Sequence, residues 1–222
     1  MKYDDCCLFV RARKPEQVAQ RRDSILAAMA ELLQEAKPEH ISLNEVARRA
    51  GLAKSNLYRY FDSREAILLE LLREDGRRWI DNIEAALSGL DGSNDIAAAA
   101  AAIATTTATE SRMCQLLSQG SSVLEQHASD AAVLAFKQHS CEILGRLVQA
   151  VHRALPRLPL HDLGPSIHYV LVLIAGLWPQ SHPSEAVRKA LQQPSLSALQ
   201  LDFEESLQQG LTLIFRGLAC PP

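Results

Sequence analysis

Residues 41–65 read ISLNEVARRAGLAKSNLYRYFDSRE. The pattern is that of two short helices joined by a tight turn. Ser42 can cap the first helix, and Glu45, three residues on, can reach back to complete a capping box. Val46, Ala47 and Ala50 recur at helical spacing and form its inner face. Gly51 follows the last helical residue, where a left-handed backbone is required, and Leu52 packs the corner. The second helix is expected over 53–61. Ala53, Leu57 and Phe61, four residues apart, lie on one side of it and face inward. Lys54, Ser55, Asn56, Tyr58 and Arg59 are left facing out.

A helix entering the major groove needs donors for base edges and phosphates, and little acidic charge. Residues 54–60 contain no carboxylate. The short glycine-containing turn fits a helix-turn-helix. A small solvated helical hairpin with ordinary surface charge is the plainer alternative. Two closely spaced tyrosines flanking Arg59 weigh against it, because exposed aromatics carry a solubility liability.

Ser42, Leu43, Val46, Ala47, Ala50, Gly51, Leu52, Lys54, Leu57, Tyr58, Tyr60, Phe61, Ser63, Arg64 and Glu65 stand in an ungapped order. That order resembles the signature of TetR-family transcriptional regulators, and the likeness extends over residues 20–72. Ala53 stands where the family often has serine, and Ser55–Asn56 replaces a common Gly-Thr pair. These outward positions set which operator is read. The resemblance implies an all-α protein: a three-helix DNA-binding head, then a helical body that binds an effector and dimerises. It places Lys54, Tyr58, Tyr60 and Arg64 on phosphates and Asn44, Asn56 and Arg59 near base edges. Ser42 and Ser55 complete the expected DNA-binding set.

Composition agrees with a helical protein. Hydrophobic residues make up 47% of the 222-residue chain and aromatics only 5%; an alanine- and leucine-rich balance favours helices. No uninterrupted apolar run is long enough to span a bilayer, and Asp4 and Asp5 stand where a signal peptide would be basic. A cytoplasmic protein with no membrane partner is expected. The cysteines Cys6, Cys7, Cys114, Cys141 and Cys220 lack metal-ligand spacing, and reduced thiols are the expectation. Residues 1–64 carry 12 Lys/Arg against 9 Asp/Glu, and the remainder 11 against 17. The helix-turn-helix end is therefore at +3 and the rest at −6. Positive charge on one end supplies sequence-independent DNA affinity.

Enzyme readings find little to stand on. There is no G-x-S-x-G elbow, no phosphate loop, no G-x-G-x-x-G and no H-E-x-x-H; the seven histidines are scattered. No catalytic residue, metal or cofactor is expected. A helical ligand-binding or protein-adaptor domain without DNA regulation stays open as the alternative.

The head should begin with an amphipathic helix over 16–37, with Val18, Ile25, Ala28, Met29, Leu32 and Leu33 inward, preceded by Pro15 at its first turn. Residues 1–15 are expected to be a flexible basic arm, 16–62 the DNA-binding domain and 63–222 the effector-binding and dimerisation domain. A fourth helix over 63–88 joins them. Further helices are expected over 95–109 (capped by Asn94), 110–118, 123–155, 163–178, 184–192 and 202–218. The stretch 169–178 is apolar nearly all round and must be buried on most sides. The resemblance implies pairing through the last two long helices, so 163–178 and 202–218 form the expected homodimer interface, with Leu211 and Ile214 in it. Twofold symmetry also suits paired half-sites of operator DNA. Trp79, Met113, Leu117, Phe136, His139, His168, Tyr169 and Trp178 are the candidate lining of an effector pocket, with Glu110, Arg112, Glu142 and Arg146 near its rim. The effector is expected to be small and mainly apolar.

Overall fold

Pro15 opens α1 (Pro15–Glu35), its fixed φ already suited to a first helical turn. In the computed structural model, which describes residues 15–220, the chain is all-α; no strand occurs among the described residues. It divides into two compact units, residues 1–67 and 68–222. The arm expected over 1–15 lies outside the described residues except for Pro15.

In the first unit, α1 is followed by a tight turn at Pro38–His40, then α2 (Leu43–Arg49) and α3 (Lys54–Leu57). Ile25, Leu26, Ala28, Met29 and Leu32 bury one stripe of α1 against Ile41, Val46, Ala47, Leu57 and Phe61. Val18, expected inside, is 43% exposed; the buried stripe begins only at Ile25, two turns further on. The capping box is formed: Ser42 Oγ accepts from Glu45 N at 3.3 Å and Glu45 Oε2 accepts from Ser42 N at 2.9 Å. Gly51 takes φ +65°, the left-handed corner that a side chain would strain. The regular part of α3 is shorter than the expected 53–61. Ala53 is its exposed N-cap, without a side-chain cap. Beyond Leu57 the helix tightens to i→i−3 bonds, Arg59 N to Asn56 O and Tyr60 N to Leu57 O, a common way to end a short helix.

The boundary between the units falls inside α4 (Arg64–Ser88). Ser63 Oγ accepts from Ala66 N at 3.0 Å and so caps its start. In the second unit, Leu68, Leu71, Leu72, Trp79, Ile80 and Ile83 make the buried face of α4. Then come α5 (Ile96–Ala108), α6 (Ser111–Gln119), α7 (Glu125–His127), α8 (Asp130–Ala154), α9 (Leu160–Ser181), α10 (Glu185–Leu191) and α11 (Phe203–Ala219). α9 packs on α6, α8 and α11, and α11 on α5.

Three expectations change here. Asp95, not Asn94, caps α5, accepting from Ala98 N at 3.0 Å. Asn94 turns the corner at φ +54° and its Oδ1 accepts from Arg157 N. The single helix expected over 123–155 is broken. A wide, π-type turn at Gly120–Leu124 leads into α7, and Ser129 caps a fresh α8 by accepting from Ala132 N. Finally, α9 runs past both ends of the expected 163–178, taking in Pro165 and Pro179. By length and composition alone it could cross a bilayer, although His161, Asp162 and His168 interrupt its apolar run. Its buried side is Leu163, Ile167, Val170, Ile174 and Trp178.

Candidate functional site

The helix-turn-helix is held by three arginines whose donors are turned inward. Arg49 on α2 reaches α1, its guanidinium bonded to both oxygens of Glu35 (3.0 and 2.9 Å) and to Glu31 (3.2 Å). That contact holds the Glu35 carboxyl below the usual carboxylate range. Arg64 donates to the carbonyls of Glu39 and Ile41 (both 3.3 Å) and to Glu65 Oε1, pinning the turn before α2 to the start of α4. Arg22 on α1 lies over the Phe61 ring, 4.3 Å from its centroid, and donates to Tyr60 O at 3.4 Å. It thereby closes the C-terminal end of the α3 turn, where a carbonyl and the helix dipole favour a cation.

Within this frame Lys54, Ser55, Tyr58 and Arg59 are exposed, Asn56 and Tyr60 half-buried, and Tyr58 keeps 49% of its surface. Among the described residues neither Lys54 nor Arg59 is ion-paired. Asn44 is exposed on α2. Residues 54–60 thus offer donors with no carboxylate among them, suited to a polyanion carrying acceptors. Two of the expected members are otherwise engaged. The Ser42 hydroxyl donates to Glu45 Oε2 at 2.8 Å as part of its cap, and the Arg64 donors are bonded as above. Arg22 and Arg49 are what fix the surface.

In the second unit a cavity of about 40 Å³ lies between four helices. Leu72, Gly76 and Trp79 of α4, Met113 and Leu117 of α6, Phe136, His139, Ser140 and Ile143 of α8, and Leu171 of α9 line it. Trp79, Met113, Leu117, Phe136 and His139, five of the eight residues expected, come together there. His168 and Tyr169 do not; both are exposed on α9. Trp178 is buried elsewhere, stacked on His182 (centroids 3.8 Å apart) and edge-on to Phe203 (5.0 Å). Gly76 gave a sequence signal that spacing did not use. Glycine inside a helix costs roughly 1 kcal/mol against alanine and so implies a close approach. A Cβ added there would lie 3.0 Å from Ile143 Cδ1.

None of the charges expected at the rim lines this cavity. Asp75, fully buried, receives Arg112 on both oxygens (2.7 and 2.5 Å) and Arg78 at 2.9 Å. Arg78 also holds Glu110 at 2.7 Å. Arg146 is taken by Glu84 and Asp81. Cys114, behind Met113, is buried and donates to Thr107 O at 3.6 Å. Burial, with the Glu110 charge nearby, pushes its thiol up to about 12.

On the outer side of the unit, Tyr169 and Val172 of α9 are 57% and 55% exposed, and Leu213 of α11 is 70% exposed. Leu211, expected to face a partner, is fully buried in its own unit, and Ile214 is half-buried.

The family model described as bacterial regulatory proteins of the tetR family matches residues 25–71. That described as the tetracyclin repressor-like C-terminal domain matches 73–222. An uncharacterised HTH-type transcriptional regulator of Mycobacterium tuberculosis, Rv1255c, is 40% identical over 70 residues, 32% of this chain and 33% of its own. AlkX of the same organism, an HTH-type transcriptional regulator, is 36% identical over 66 residues, 30% and 31% of the two chains. The match thus spans about a third of the length of these curated relatives. A transcriptional regulator from Rhodococcus sp. RHA1 superposes with a TM-score of 0.55 at 18% identity, covering 90% of this chain and 99% of that one. The TetR family repressor AlkX from Dietzia sp., implicated in biodegradation of n-alkanes, gives 0.55 at 16%, with 94% and 97% covered.

Proposed function

The chain belongs to the tetR family of bacterial regulatory proteins, and from that premise we propose a homodimeric repressor that leaves a palindromic operator when an apolar effector enters the second unit. The observation that carries the DNA-binding part is the outward side of α3 and of the turn that follows it. Lys54, Ser55, Asn56, Tyr58, Arg59 and Tyr60 offer donors with no carboxylate among them, on a frame braced by Arg22, Arg49 and Arg64. Asn56 and Arg59, with Asn44 from α2, read base edges; Lys54, Tyr58 and Tyr60 hold phosphates. Residues 16–62 serve as the head and 63–222 as the body.

Two copies pair through the outward faces of α9 and α11, around Tyr169, Val172 and Leu213, within the segments 163–178 and 202–218. Exposed apolar side chains of this size on adjacent helices support an interface. Effector release follows from linkage: the ligand must bind the non-operator state better, and it weakens operator binding by the same free energy. At about 40 Å³ the cavity is far below the roughly 300 Å³ or more of a drug-sized site. Filling it must therefore spread α4 from α6 and α8, and α4 continues from the DNA-binding unit.

Competition gel-shift with the DNA upstream of the chain's own gene tests the reading. A saturable, salt-sensitive complex that survives excess non-specific DNA is expected. Binding no tighter than to random duplex would overturn it in favour of a helical ligand-binding or adaptor protein.

A further inference from the structure

We propose that Arg146 is a positioning residue for operator binding: it latches α4 to α8, and when the latch opens α4 turns about its buried contacts with α6. This rests on the reading of α4 as the link from effector to DNA, and it names the side chain that holds that link in place.

α4 is bonded on two flanks, and the bonds differ in kind. On the α6 flank they are buried and multiple. Asp75 receives Arg112 on both oxygens, at 2.7 and 2.5 Å, and Arg78 at 2.9 Å. Glu110, at the start of α6, receives Arg78 at 2.7 Å and Asn82 Nδ2 at 3.3 Å. The Trp79 indole N–H donates to Thr107 Oγ1 of α5 at 2.9 Å. Residues 75, 78, 79 and 82 follow helical spacing and share one edge of α4. Arg78 and Arg112 keep part of their surface in water, but Asp75 and Thr107 are fully enclosed and Glu110 nearly so. Separating this flank strands a buried carboxylate, which is costly.

On the α8 flank the polar contacts lie at two ends. His139 Nε2 is 3.0 Å from the carbonyl oxygen of Arg73. Further along, Arg146 donates to Glu84 at 3.1 and 2.6 Å and to Asp81 at 2.7 Å. Between these ends lies the cavity, with Leu72, Gly76 and Trp79 of α4 and Phe136 and Ile143 of α8 in its lining. The Arg146 contacts are wet: 40% of its side chain and 63% of the Asp81 side chain are accessible, against none of Asp75. Groups that water can take back separate at little cost. The two separations of α4 are therefore unequal, and the gap to α8 takes most of the widening.

Arg146 suits the task by its shape. Its rigid fork spans two carboxylates three residues apart, and so fixes the rotation of α4 as well as its distance from α8. Without it, Asp81 and Glu84 are like charges on one helical face.

The test uses the full-length protein and a duplex that it selects from a random library. Arg146→Ala should lower affinity for that duplex about fivefold, the upper worth of an exposed pair, with helicity unchanged. The salt slope should stay parental, because no phosphate contact is lost. Arg146→Lys should recover only part of the affinity, since one ammonium lacks the fork. Arg146→Glu should lose more than alanine does. Combined with Glu84→Arg it should return to within about twofold of the parent.

The seam itself is read without DNA. In a Trp178→Phe background Trp79 is the one tryptophan left, and it is buried against the cavity. Arg146→Ala should raise its quenching by acrylamide at least about twofold, while alkylation of Cys114 on α6 keeps its parental rate. If quenching and duplex affinity both stay parental, Arg146 holds nothing; this inference falls and the effector reading stands. If quenching rises and duplex affinity does not change, α4 is not the link, and the release reading falls with this one. Faster Cys114 alkylation with parental quenching would put the moving seam on the α6 flank, and a charge swap that restores nothing would show that the pair is not the latch; either overturns the proposal.

Discussion

Arg59 and Lys54 lie on one exposed face, but their expected consequences differ. Arg59→Ala removes a base-edge donor and should relax operator specificity at a cost of about 1–3 kcal/mol. Lys54→Ala removes a phosphate partner and should weaken all duplexes alike, lowering the salt dependence. Competition binding at several salt concentrations distinguishes the two, and the opposite pattern would reverse the assigned roles. Arg22→Lys keeps the charge but loses the planar stack on Phe61 and the reach to Tyr60 O. Operator affinity should fall while the salt slope stays as in the parent, since Arg22 acts through α3 rather than on phosphate. Ser42→Ala should cost about 1 kcal/mol of stability through the lost cap, read by denaturant unfolding. The outward residues of α3 were legible in the sequence because helical period alone assigns them a face. The engagement of Arg64 with Glu39 O, Ile41 O and Glu65 was not, because those partners are backbone groups and a side chain whose approach depends on the folded turn. Spacing says where a donor points, not whether something already occupies it.

At the level of the element, α11 shows how two steps along a helix separate core from surface. Leu211→Glu buries a charge in a fully enclosed site and should yield insoluble or unfolded protein. Leu213→Glu, on the exposed face, should give folded monomers by light scattering with parental helicity by circular dichroism. A Leu213→Glu protein that stays dimeric would move the interface off this face. The 3.6-residue pattern announced α11 itself, with Asp202 as its cap. It could not rank two apolar residues on either side of the stripe. The break before α8 was missed for a related reason: apolar periodicity continues across 123–155, and Ser129 is a weak start signal beside it. The local hydrogen bond to Ala132 N decides the matter. The ends of α9 were also missed, because the apolar pattern that marks 163–178 fades before the helix itself stops.

On the scale of the whole molecule, the buried Asp75 ties α4 to α6 through Arg112. Asp75→Ala should cost roughly 2–3 kcal/mol, toward the low end for a broken buried pair because both guanidinium groups still reach water; thermal unfolding reads it. Cys114 gives a pH signature. Its thiol is raised in the folded chain from an ordinary 9.0 to about 12, so the folded state holds the proton more tightly. Its contribution is full below about pH 9 and is lost as pH rises toward 12, by up to about 1.4 kcal/mol per pH unit. Cys114→Ala should show a shallower alkaline decline than the parent. The same burial has a kinetic meaning. Cys141 and Cys220 are exposed and should be alkylated at the speed of small-molecule thiols. Cys114 can be labelled only in the fraction of time that the wall behind Met113 is open. Peptide-resolved labelling of that one sulfur is thus a clock for the α5–α6 seam. An effector that wedges the seam apart should quicken the clock, and one that fills the space and locks it should slow it.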